Sequence, residues 1–229
     1  MKEAFVRTTV ILQSNYIPWR GYFDLMRRAD VFVLYDEVQY TKNDWRNRNQ
    51  IITGNGPHWL TIPVKKSGKF GQSIAETEVI NGAWARKHWM SVSQSYAKAP
   101  FFDAVSTWLK PCFDGAAEQS HLSEINEMFL RAIADYLGFE TQIIRSTEIA
   151  GQADRVGRLV QICDHLKSDT YLSGPAAKSY LDETAFTQQG IGVEWMAYPQ
   201  YPATVANPDQ APASILDALF WLPVNEVFA

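Results

Sequence analysis

The chain has 229 residues, 46% hydrophobic and 20% charged, a balance that fits a folded protein with a sizeable core and not a disordered one. Lys and Arg number 21 against 25 Asp and Glu, a formal charge of -4, which argues against duplex nucleic acid as a partner because phosphate backbones demand a basic footprint. No run reaches the roughly 20 apolar residues of a membrane span. The N-terminal apolar run is too short and interrupted for a secretory leader, so the cytoplasm is the expected location. Cys112 and Cys163 stand far apart and the histidines lack ligand spacing, so neither a disulfide nor a metal site is expected.

In chain order, Thr8 to Gln13 reads as a short buried strand, Gly21 to Arg28 as a helix and Val31 to Tyr35 as a second buried strand. Strand, helix, strand is the βαβ pattern of a parallel sheet. Between Gln39 and Ile80, short β-like runs such as Trp59 to Lys65 and Ile74 to Ile80 are punctuated by Asn, Gly, Lys and Thr, predicting a β-rich excursion beside the sheet. A helix follows with Ala85, Trp89, Val92 and Tyr96 on one face. Ser120 is placed as the cap of another, which Gly138 ends. The tail alternates again: strand Thr141 to Ile144, helix Asp154 to Lys167, strand Asp169 to Leu172, helix Pro175 to Asp182, strand Ile191 to Ala197 and helix Ser214 to Trp221. The expectation is one α/β domain over residues 1–229, with a mostly parallel Rossmann-like sheet, helices on both faces and a β-rich excursion around residues 39–80.

Ligands of open α/β sheets bind beyond the carboxyl ends of the strands, so the loops there carry the candidates. The first is Ser14-Asn15-Tyr16-Ile17-Pro18-Trp19-Arg20-Gly21, polar and aromatic, lacking the glycine patterns of dinucleotide and P-loop binders. The second is Asp36-Glu37-Val38-Gln39-Tyr40 with Trp45-Arg46-Asn47-Arg48-Asn49. Asp36 is placed to act as a base, and one of the two arginines is expected to grip a phosphate or carboxylate. The third is Tyr171-Leu172-Ser173-Gly174-Pro175 leading to Lys178, where a helix N-terminus after Gly174 would make an anion site. His88, read as lying off the apolar stripe of its helix, is the one histidine considered for proton transfer; the other three read as surface residues.

Three stretches resemble the WbqC-like family: LQSNYIPWRGYFDLMRRADVFVLYDEVQYTKNDWRNRNQI, WARKHWMSVSQSYAKAPFF and YLSGPAAKSYLDETAF. A weaker one joins Tyr198-Pro199-Gln200-Tyr201-Pro202 to Ser214-Ile215-Leu216-Asp217. Members often read Gln-Pro where this chain has Ser14-Asn15. The resemblance implies a place among bacterial O-antigen and surface-polysaccharide proteins, and an acyl or aminoacyl (such as glycyl) transfer to a nucleotide-linked amino sugar. On that reading Gly174, Lys178 and Arg48 hold the diphosphate, and Tyr16, Trp19, Tyr40 and Trp45 frame the sugar. Gln13, Asn15, Gln39, Asn47, Ser173 and Tyr201 complete the binding set, while Asp36 or His88 takes the amine proton. ATP, an activated acyl donor and a carrier-protein or glycan-assembly partner all stay open. A looser likeness links the opening to the nucleotidylyltransferase-like fold of pantothenate synthetases, which form amides through an adenylate. The paired histidines of that group's first turn are replaced here by Tyr16-Ile17-Pro18-Trp19. A protein that binds a sugar nucleotide without transforming it is the alternative.

Overall fold

A computed structural model describes residues 6–229. Its centre is a parallel five-stranded sheet in the order β5-β2-β1-β6-β7, made of β1 (Thr8–Leu12), β2 (Val31–Leu34), β5 (Gln142–Arg145), β6 (Thr170–Ser173) and β7 (Gly192–Trp195). A separate antiparallel hairpin pairs β3 (Arg48–Thr53) with β4 (Gly56–Thr61). The helices are α1 (Arg20–Arg27), α2 (Ala83–Tyr96), α3 (Phe102–Ala116), α4 (Leu122–Leu137), α5 (Arg155–His165), α6 (Glu183–Thr187) and α7 (Leu216–Trp221).

The strand residues explain why both faces are covered. Successive side chains point to opposite faces, and in β2 all four are buried. Phe32 and Leu34 join Val10 and Leu172 in the larger core, with α1, α2, α3, α4 and α7. Val31 and Val33 join Ile11 and Tyr171 in the smaller one, against Leu159, Ile162 and Cys163 of α5 and Phe186 of α6. A strand apolar on both sides is stable only between two helical layers.

Chain direction places the site. From β1 the chain builds outward through β2 to β5, then returns to the other side of β1 for β6 and β7. The strand order reverses between β1 and β6, and the loops leaving their carboxyl ends diverge to open a crevice.

Several expectations need correction. Helix α3 was not anticipated, and it carries Pro111 in its interior. The strand expected at Trp59 to Lys65 starts earlier and ends at Thr61, leaving Val64 in an isolated bridge with Val79. Ile74 to Ile80 forms bridges and no strand. Helix α4 is capped at His121, not Ser120, without a side-chain bond. Its end is as expected, with Gly138 left-handed at φ 73.

The helix expected from Pro175 to Asp182 is a five-residue 3-10 turn, Pro175–Ser179. The Asp182 side chain accepts from the Thr184 backbone N–H at 2.9 Å and starts α6 afresh. So short a turn aligns few peptide dipoles, and the anion site argued from a helix N-terminus loses that support.

Candidate functional site

The loop after β1 is the organising element, held by a buried polar network. The Ser14 backbone N–H donates to Asp36 at 2.8 Å. Asn126, fully buried on α4, donates to Ser14 Oγ at 3.0 Å and to the Arg46 carbonyl at 2.9 Å. Arg46 in turn donates to the side-chain oxygens of Gln13 and Asn15, and Tyr22 donates to the Gln13 carbonyl. Ile17 has φ 39, a left-handed conformation that a β-branched residue avoids. Asn49 pins it there by donating to the carbonyls of Tyr16 and Ile17 at 3.1 and 2.8 Å.

This loop borders one cavity, and Asp36, which bonds to it, borders a second. The larger, about 470 Å³, is lined by Asn15, Trp19, Trp45 and Tyr201 among the expected residues, together with Arg20, Asn49 and Asp217. Trp19 folds back onto the helix start, where a Cβ at Gly21 would lie 2.3 Å from the indole, so a larger residue there would displace the ring. Its ring packs 5.0 Å from Tyr198 and 6.1 Å from Tyr201. Tyr201 is buried and donates to Asp24 at 2.8 Å. Backbone bonds from Ser214 to Gln50 and from Ile215 to Pro18 dock the start of the C-terminal helix onto the same wall.

The smaller cavity, about 190 Å³, is lined by Asp36, His121, Glu124, Glu127 and Arg145. Burial raises the Asp36 pKa above the usual carboxylate value, although its bonds from Ser14 and the charge of Arg46 oppose the shift. Glu127 is paired with Arg131 and Arg145.

The two candidate bases are therefore not brought together. His88 lines neither cavity: it is buried, and the Tyr16 hydroxyl lies 2.9 Å from its Nδ1. This corrects its reading as off the apolar stripe: His88 shares the buried face of α2 with Trp84, Ala85, Val92 and Tyr96, and Tyr16 of the β1 loop packs against it. Burial pushes its pKa down to about 4; a hydrogen bond to the Thr61 backbone opposes this and His58 adds to it. A ring nitrogen donating to the Thr61 carbonyl leaves Nδ1 as the acceptor for Tyr16 O–H. Such a neutral imidazole holds Tyr16 in place and is a poor proton acceptor near neutral pH.

The other expected residues fall outside the cavities. Tyr40 donates to Asn47 at 2.9 Å and Asn47 donates to the Ile62 carbonyl, so both lock the hairpin. Gln39 is exposed and bridges Ser73. Arg48 stacks 4.3 Å over Trp59 and donates to the Asn43 carbonyl. Ser173 is buried and donates to Tyr171 at 3.3 Å. Lys178 lies 5.4 Å from the centre of the Trp195 ring. Gly174 does approach the site: a Cβ there would be 3.4 Å from the hydroxyl of Tyr198, which packs on Trp19.

Sequence reasoning gave Arg46 and Arg48 equal standing as ligand grips and placed Arg48 on the diphosphate, whereas Arg46 reaches the loop. It placed Arg20 and Asn49 in the candidate loops without a role of their own and missed Asp217; the partners of all three lie far away in the chain. Among the described residues no group of His, Cys, Asp and Glu is arranged to hold a metal ion, and no helix is long and apolar enough to cross a membrane.

A polar-aromatic cavity beside the first strand of a five-stranded parallel sheet, with the strand order reversing there, defines an α/β protein built on the doubly wound plan. The chain belongs to the WbqC-like protein family, whose match spans residues 13–228. It is also 40% identical over 219 residues, 94% of each chain, to a protein of Mycobacterium tuberculosis (strain ATCC 25618 / H37Rv) named Uncharacterized protein Rv1507c. No solved structure matches it.

Proposed function

We propose that the protein forms an amide on a nucleotide-linked amino sugar for surface-polysaccharide synthesis, as an acyl- or aminoacyl-transferase. The observation that carries this reading is the larger cavity, of a size that takes a small organic ligand and walled by Trp19, Trp45 and Tyr201 beside polar Asn15. Indole and phenol rings offer apolar faces to a sugar ring with little rotamer entropy to lose. Arg20 and Asn15, which Arg46 braces, are polar groups of the same cavity lining. They replace Lys178 and Arg48 as the grip on the diphosphate.

In amide formation the amine nitrogen attacks the acyl carbon, loses a proton, and the leaving group departs with its bonding pair. Asp36 is the candidate proton acceptor, since burial increases its affinity for a proton. Its opening onto the smaller cavity, away from the aromatic rings, favours a second reading: a protein that binds a sugar nucleotide without transforming it.

Mass spectrometry separates the two. The purified protein is incubated with UDP- and dTDP-amino sugars and either a glycyl thioester or glycine with ATP. An amide product that disappears with Asp36→Asn supports the transferase. Binding without product supports the second reading, and no binding of any nucleotide-sugar defeats both.

A further inference from the structure

The larger cavity contains a carboxylate that its own fold leaves half satisfied. Asp217, in the first turn of α7, lines the cavity and is 4% exposed. Thr204 Oγ1 donates to its Oδ2 at 2.6 Å. Its Oδ1 is buried and has no hydrogen-bond partner. An unpaired buried carboxylate oxygen is costly, because it has given up water and received nothing in return.

The surroundings narrow what could supply the missing donor. Arg20 lines the same cavity, but its guanidinium is committed to the Pro202 carbonyl at 2.7 Å and lies 5.2 Å from the Tyr201 ring centre. It faces Asp217 as a charge, not as a bonded partner. The two fixed charges balance, so an anionic group has nothing to recommend it at Oδ1. Trp19 and Trp45, exposed by 44% and 42%, stand on the same cavity wall. A buried acceptor next to half-open indoles is complementary to a pyranose, whose C–H face stacks while a ring substituent donates.

We infer that Asp217 is a ligand-binding carboxylate whose Oδ1 accepts a hydrogen bond from a hydroxyl or ammonium group of a pyranose packed against Trp19 and Trp45. This rests on reading the cavity as the sugar site, and it adds the residue that selects the sugar by its donor. Asp217→Asn is the informative change: its carbonyl can still accept from Thr204, while an amide N–H2 replaces the acceptor at the Oδ1 position.

Methyl glucopyranoside and glucosamine are titrated by saturation-transfer NMR into the wild-type and Asp217→Asn proteins, with thermal melts confirming the fold. The expected result is saturable binding to the wild type, weakened by about tenfold or more in the variant, as befits a lost bond to a charged group. Preference for glucosamine assigns the donor to the ammonium group, and equal binding of the two assigns it to a hydroxyl. No saturable binding of either sugar, or binding that the variant leaves intact, overturns the inference.

If the variant does not fold, a crystal of the wild type soaked in glucosamine decides. A nitrogen or oxygen of the sugar within hydrogen-bond distance of Oδ1 supports the inference, and a sugar seated elsewhere overturns it. UDP-glucosamine bound equally by both proteins leaves the proposed function standing without this role for Asp217. Free-sugar binding lost in the variant, with no amide product under any donor, leaves the role for Asp217 and removes the transferase.

Discussion

The loop after β1 and the turn after β6 flank the same reversal of strand order, yet they are held by different means. The first is cross-braced from three separate elements: Asn126 on α4, Asn49 on β3 and His88 on α2 all bond to residues 14–17 or to their neighbours. The second is a 3-10 turn with exposed Pro175, Ala176 and Lys178 and mainly local bonds. A short chain segment can hold an unfavourable backbone such as that of Ile17 only if the surrounding structure over-determines it. That investment of buried polar groups marks the β1 loop as the rigid half of the site, on which aromatic side chains can be placed accurately.

The largest expected effect comes from His88. Its folded-state pKa of about 4 lies below the ordinary value of 6.5, so the unfolded chain binds the proton more readily. The stability contributed by keeping this ring neutral is whole above pH 6.5 and is lost as pH falls from 6.5 to 4. The linkage amounts to roughly 3 kcal/mol. Urea unfolding at pH 7 and at pH 4.5 should show most of that loss, and His88→Gln, which cannot titrate, should flatten it. A slope unchanged by the substitution would mean that other groups control acid sensitivity and that the neutral His88 ring is not part of the brace.

Next comes Asn49→Ala, which orphans the carbonyls of Tyr16 and Ile17 and frees a strained residue. The expected cost is roughly 2 kcal/mol in urea unfolding, together with weakened nucleotide-sugar binding. Retained binding in a destabilised protein would separate the brace from the site.

Much of this contrast is physically invisible in sequence. The βαβ opening and the strand before Gly174 were legible because each strand is buried on both faces and reads as a short apolar run between polar breaks. Helix α3 was not, because Pro111 in its interior reads as a breaker, and its burial against α2 and α4 is a tertiary fact. Arg46 and Arg48 have equivalent chemistry two residues apart; only packing decides that one reaches Gln13 and the other lies over Trp59. Asp217 sits in an otherwise apolar stretch, Leu216 to Phe220, and nothing local announces that Thr204 and Arg20 will meet it. His88 misled in part for the same reason: it shares the buried face of its helix with Trp84, and its hydrogen-bond partner Tyr16 lies 72 positions away in the β1 loop.

Tyr16→Phe tests one bond of the brace. It removes the hydroxyl that serves His88 Nδ1 while keeping the ring that packs edge-on against Trp84 and Phe129. A loss of about 1 kcal/mol is expected by chemical denaturation, because the shape of the core is preserved and one buried acceptor is left without its donor. A loss too small to measure would assign the hold on the loop to Asn49 and Asn126 alone.

The smallest effect belongs to the other turn. Lys178→Ala should change stability by less than about 0.5 kcal/mol, since the side chain is exposed and its contact over Trp195 is open to water. The same variant should bind UDP-amino sugars within about twofold of the wild type, as expected for a solvated charge that gains little from a phosphate it meets in water. Native mass spectrometry over a range of salt concentrations reads both the affinity and its ionic-strength dependence. A strong loss with Lys178→Ala, accompanied by a shallower salt dependence, would show that the weakly braced turn closes on the diphosphate. The rigid loop would then supply the sugar wall and the turn after β6 the moving anion grip.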